Sequence, residues 1–180
     1  ISDRPVEDDE SEDDKPEWEK EEIKDVIKRV HGTFADDENI DKDKFYDDVR
    51  MLQISEGFDN KIKMYVVLQG IFYNHTMTNA ILKGNALNCV KTTASLMEAE
   101  EVLWGFDLYL HCNSESLGKK HAMVLKVLYD EDIVEDKEIL THYRRAGVDE
   151  DDNPGFAQAC ECAEKFLEWL EESSDESESD

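Results

Sequence analysis

The feature that most constrains this chain is the spacing of its apolar residues, which is helical nearly everywhere. Between Trp18 and Val30, the positions Ile23, Val26, Ile27 and Val30 recur at intervals of three and four, the signature of one buried helix face. Pro16 and the acids that follow it suit a helix start, and Gly32 reads as its stop. A second helix is expected after Asp41, turning Phe45, Val49 and Leu52 inward and ending near Gly57. A third follows from about Asp59 to Asn74. The next two are expected over Thr78–Lys91 and Ala94–Cys112. The longer of these is apolar on more than one side and should be the most buried. After a loop at Asn113–Gly118, helices are expected over Lys119–Tyr129, Glu135–Ala146 and Phe156 to about Glu172. About eight helices with short connections and almost no alternating pattern predict an all-α fold, its antiparallel pairs stacked in the solenoid manner.

Charge then divides the chain. There are 46 acids against 20 Lys plus Arg in 180 residues, a formal net charge of −26. Residues 1–22 hold twelve acids and three bases, and residues 171–180 hold six acids and no base. Both ends lack the aliphatic content needed to bury a core. The expected organisation is an acidic disordered tail over 1–16, a helical domain over 17–172, and an acidic Ser-rich tail over 173–180. Ile1 in the place of an initiator Met suggests a piece of a longer protein.

The acidity also bounds function. A chain this negative is not expected to grip nucleic acid directly, because that grip needs Lys and Arg to displace counterions from phosphate. Nor is it expected to dock on an anionic membrane. It favours a lysine-rich protein partner and an association that weakens with salt. Catalytic signatures are missing: there is no Gly-rich phosphate loop, no GxSxG elbow and no paired zinc spacing among the histidines and cysteines. Asp37, Asn39, Asp41 and Asp43 alternate as calcium ligands do, but Lys42 stands where the loop requires Gly. No cofactor, metal or catalytic residue is predicted, and the domain is expected to be a monomer.

Two segments carry a more specific pattern. Leu128–Leu140 clusters Asp130, Glu131, Asp132, Glu135, Asp136 and Glu138 behind Tyr129. Glu164–Asp180 interleaves Glu168, Glu171 and Glu172 with Phe166, Leu167, Trp169 and Leu170. The plain reading is apolar core with solvated acidic faces. The sharper one is a single surface offering carboxylates to ammonium groups and aromatic rings to their alkyl stems. Lys119 and Lys120 form a small basic pair ahead of the first segment, a candidate second surface or simply solubilising charge. Ser11, Ser173 and Ser177 each have an acid three residues later, the pattern of acid-directed kinases.

These segments, YDEDIVED and KFLEWLEES, resemble the paired aromatic-acidic boxes of the two-tryptophan domain of translation initiation factors. That HEAT-like domain closes initiation factor 5, the epsilon subunit of initiation factor 2B and some factor 4G-type proteins. The second box running into Glu-Ser-Ser is most similar to initiation factor 5. The resemblance implies a cytoplasmic, non-catalytic module of a GTPase-activating factor. It would bind lysine-rich segments of the initiation factor 2 beta subunit, together with initiation factor 3 and initiation factor 1. On this sequence the binding residues would be Tyr129, Asp130, Glu131, Asp132, Glu135, Asp136 and Glu138, with Glu168, Trp169, Glu171 and Glu172. Phe166 and Leu167 are assigned to packing. One departure stands out: His142, followed by Tyr143, occupies the place of the family's first tryptophan. The alternatives are a nucleotide-exchange segment of the factor 2B epsilon type, or an acidic chaperone for basic proteins.

Overall fold

The computed structural model describes residues 14–37 and 39–178, with side chains as far as Ser173. Among them there are helices and turns but no strand, so the all-α, HEAT-like expectation holds. The helices are α1 (Glu21–Ala35), α2 (Lys42–Glu56), α3 (Asn60–Ile71), α4 (Gly84–Ala94), α5 (Ala99–Cys112), the single turn α6 (Ser114–Leu117), α7 (His121–Asp130), α8 (Asp136–Tyr143), α9 (Phe156–Cys162) and α10 (Glu164–Glu178).

The spine is the row α1–α3–α5, continued by α8 and α9 packed on α5, and by α10 against α8. α2 and α4 form a second layer beside it, and α7 lies on α9. Two glycines let the spine close up. A Cβ on Gly105 of α5 would sit 2.7 Å from the Met64 Cβ of α3, and one on Gly70 of α3 would collide with Val30 of α1. With helices on both sides, Val102 through Leu110 of α5 are all buried, as its all-round apolar sequence requires.

Local chemistry fixes several boundaries where expected. α2 ends at Gly57 in the left-handed conformation, and the Asp59 side chain caps α3 by accepting from the Ile62 N–H at 3.1 Å. Other boundaries move. α1 runs through Gly32 to Ala35, because Phe34 packs edge-on against Phe45 at 6.0 Å and holds the last turn. α4 begins only at Gly84. Before it, Met77 and Leu82 are buried through turns, and the Met77 N–H donates to the Tyr109 hydroxyl at 2.8 Å. α5 begins at Ala99 rather than Ala94, since Glu98 and Glu101 cap it reciprocally, and Leu96 is left 61% exposed. The expected loop at Asn113–Gly118 contains the turn α6. The expected last helix is two helices broken at the buried Ala163, and α10 continues past Glu172 to Glu178.

Ahead of α1, a 3-10 turn at Glu17–Glu19 lays Trp18 edge-on to Trp104 at 6.5 Å and to His111 at 6.4 Å. Trp104 is held in turn by its indole N–H, which donates to the Asp152 carbonyl at 2.7 Å.

Candidate functional site

The first acidic segment is built around the end of α7. There Asp132 takes the left-handed conformation, φ 59°, and the Ile133 and Val134 N–H groups both fold back on the Leu128 carbonyl, at 2.9 and 3.3 Å. Val134 is thereby buried and the chain turns directly into α8. Glu135 and Glu138 cap that helix reciprocally, the Glu135 N–H donating to Glu138 Oε1 at 2.8 Å. Asp136 accepts from the Lys137 N–H at 2.9 Å. Asp130 pairs with Lys126 at 2.8 Å, and Glu131 reaches Lys91 of α4 at 3.5 Å. Of the six acids, only Asp132 makes no side-chain hydrogen bond or ion pair with another described residue.

The second segment approaches from α10. Leu167 and Leu170 are buried under its inner face, as the packing assignment for Leu167 required. Phe166 and Trp169 emerge at the edge, and Trp169 is 45% exposed. Their rings stack at 6.0 Å and 22°. Half-buried Tyr129 meets both edge-on, Phe166 at 6.3 Å and Trp169 at 5.8 Å. Phe166 thus packs and also floors the patch. The two sequence segments meet at one aromatic cluster. Glu168 and Glu172 stand exposed on α10 with no ion-pair partner among the described residues.

Glu171 is different. Arg144, at the end of α8, forks onto Glu171 at 2.9 and 3.2 Å and onto Glu164 at 3.1 Å through both terminal nitrogens. The Arg144 guanidinium holds the Glu164 carboxyl below its usual range, and the two carboxylates raise the arginine further. This clamp joins α8 to α10 beside the aromatic cluster. The sequence reading missed it because nothing near Arg144 in the chain indicates which carboxylates it will meet.

His142 belongs to the interior. It is 2% exposed, and its Nε2 lies 2.7 Å from Asp107 Oδ2. Asp107, fully buried on α5, also accepts from the Tyr143 hydroxyl at 2.5 Å and from Asn153 Nδ2 at 3.2 Å. Burial and this carboxylate push the Tyr143 phenol well above its ordinary value. The imidazole therefore contributes no surface aromatic; it packs edge-on against Tyr143 and Phe156 and is tethered to Asp107. The available signal was a lone acid inside the apolar run of α5.

Lys119 and Lys120 sit exposed in a 3-10 turn at the opposite end of α7 from Tyr129, roughly 14 Å along the helix. Ser173 and Ser177 lie on α10, while Ser11 lies outside the described residues. The four cysteines are free, and burial pushes the Cys89 and Cys160 thiols up to about 11, far from a thiolate nucleophile. Among the described residues, no three His, Cys, Asp or Glu side chains gather for a metal, and no helix is long and apolar enough to cross a membrane.

Residues 91–180 match the protein-family model described as W2: eIF4-gamma/eIF5/eIF2-epsilon. The match takes in both acidic-aromatic segments, the Arg144 clamp and Asp107. No curated protein matches the chain.

Proposed function

Because the chain belongs to the W2 family of translation initiation factor domains, we propose that it is an assembly module whose Tyr129–Phe166–Trp169 cluster and surrounding acids receive lysine-rich segments. The segments we assign are those of the initiation factor 2 beta subunit and of initiation factor 3, with initiation factor 1 as a further partner, in the cytoplasm. The approach of Trp169 to Tyr129, 5.8 Å between ring centroids, is the observation that carries this reading. It supports one surface rather than two separate solvated faces.

The chemistry is simple. A lysine head needs a carboxylate, and its four-carbon stem needs an apolar wall. Trp169 and Tyr129 supply the wall and a π-face for the cation, while Glu168, Glu172 and Asp132 have no ion-pair partner among the described residues and are available to the ammonium groups. Glu135 and Glu138 act through the fold, since their carboxylates hold the start of α8. Asp130, Glu131 and Glu171 carry internal cationic partners that an incoming lysine must exchange with. We therefore rank the free acids above the paired ones as determinants of binding. We read the domain as non-catalytic.

The test is a titration of the chain with a fluorescent lysine-rich peptide across a salt series. Binding that weakens with salt, and collapses in Glu168→Lys/Glu172→Lys, supports the assignment. Undiminished binding in that variant refutes it.

A further inference from the structure

A kinase needs its acceptor hydroxyl on chain that can lie extended in the cleft. Among the described Ser and Thr residues, Thr33, Ser95, Ser173 and Ser177 have an acid three residues on. Thr33 lies inside α1, and Ser173 and Ser177 lie inside α10. Ser95 differs. It directly follows α4, and residues 95–98 are the non-helical link to α5. Ser95, Leu96 and Glu98 are all exposed, and Glu98 has extended backbone. Glu100 and Glu101 follow in the first turn of α5. A basic cleft can therefore take the Ser95 hydroxyl and the Glu98 carboxylate on one short stretch.

The surroundings give a phosphate there something to act on. The Ser95 N–H donates to the Lys91 carbonyl at 2.9 Å, and the φ and ψ of Ser95, −63° and −19°, are still helical. Lys91 and Ser95 thus share one face, a turn apart. Lys91 is the basic residue of the last turn of α4, and its ammonium reaches Glu131 Oε1 at 3.5 Å. That pair is long and open to solvent, its side chains 43% and 40% exposed.

We propose that Ser95 is a phosphorylation site for an acid-directed kinase, and that its phosphate draws Lys91 away from Glu131. The phosphoryl group comes from a nucleoside triphosphate held by the kinase. The bond from Ser95 Oγ to phosphorus forms as the bond from that phosphorus to the bridging oxygen breaks. The nucleoside diphosphate leaves with that oxygen, and the hydroxyl proton passes to the kinase's base. The product lacks the Oγ–H donation to the Thr92 carbonyl, 2.7 Å in the unmodified chain, and places a dianion at the carbonyl end of α4. Both changes favour capture of Lys91. Three phosphate oxygens attract its ammonium more strongly than the long contact to Glu131 does. Glu131 then joins the acids open to an incoming lysine. That last consequence rests on the proposed function; the modification and the exchange of Lys91 do not.

The test uses the full chain carrying Ser11→Ala, Ser173→Ala and Ser177→Ala, treated with casein kinase 2 and magnesium ATP. Mass spectrometry should place one phosphate on Ser95, and adding Ser95→Ala should abolish incorporation. The side-chain carboxyl ¹³C resonance of Glu131 should move on phosphorylation in the direction that Lys91→Gln alone produces. In Lys91→Gln, phosphate should move it several-fold less. A lysine-rich peptide should bind the phosphorylated chain about threefold more tightly at low salt, a gain that Lys91→Gln removes. Incorporation at Thr33 instead, or none, overturns the site. A Glu131 resonance unmoved by phosphate on Ser95 overturns the exchange. If site and exchange both appear while neither form binds the peptide, the proposed function fails and the modification stands.

Discussion

Trp169 of α10 and Tyr129 at the end of α7 meet in a T-shaped pair, their ring centroids 5.8 Å apart and their planes at 88°. Edge-to-face pairing fixes both rings while leaving Trp169 45% exposed, so the ring is held ready for a ligand and carries little of the fold. Trp169→Ala is expected to weaken binding of a lysine-rich peptide about tenfold and to change stability by less than about 1 kcal/mol. Isothermal titration and urea unfolding measure the two separately. An unfolding midpoint that falls steeply would make Trp169 a core residue instead.

Arg144 stands between two roles. It braces α10 and also neutralises Glu164 and Glu171 at the rim of the proposed surface. Leu167 and Leu170 are buried and hold α10 without it, so the brace is the smaller effect. Arg144→Gln should therefore cost at most about 1 kcal/mol. It should tighten a lysine-rich peptide several-fold at low salt and steepen the salt dependence. Weaker binding in this variant would show that positioning outweighs neutralisation.

The buried carboxylate is the most sensitive point. Asp107 collects donors from His142, Tyr143 and Asn153, thereby tying α5 to α8 and to the connection before α9. Asp107→Ala would leave three buried donors without an acceptor. A loss of about 3–5 kcal/mol is expected by urea unfolding, against a smaller loss for Asp107→Asn, which keeps part of the acceptor set. Equal losses would mean that volume matters more than the hydrogen bonds.

Local signals read well from the sequence and long-range pairings did not. The inner faces of α1 and α2, the Gly57 stop and the Asp59 cap all depend on residues within one or two turns. The capping pairs Glu98–Glu101 and Glu135–Glu138 escaped notice because Glu is a poor cap by type. In the candidate surface, the acids and Trp169 could be named from their clustering. Which acids were already paired could not, because Arg144 and Lys91 meet their carboxylates only after α8 has packed on α10 and α4 has come beside the turn after α7. The burial of His142 is not legible either, since its partner Asp107 lies far away in sequence.

His121 gives the domain a pH response. It is wholly buried at the start of α7, and neither ring nitrogen has a hydrogen-bond partner among the described residues. Burial pushes its pKa down to about 4 from the ordinary 6.5, and the Asp107 carboxylate only partly opposes this. Above pH 6.5 the ring is neutral both folded and unfolded, so it adds no pH dependence. As pH falls from 6.5 toward 4, the unfolded chain takes up a proton that the folded chain refuses, and stability falls by up to about 3 kcal/mol. His121→Leu removes the titrating group and the two unpaired nitrogens together. The variant should be more stable than the parent at neutral pH by about 1 kcal/mol. The difference should widen on acidification across that window and level off below it. Urea unfolding of both chains at several pH values measures this difference, in which the other titrating groups cancel. A gap that stays constant from pH 7 to 4 would show that His121 titrates in the folded chain as it does in the unfolded one.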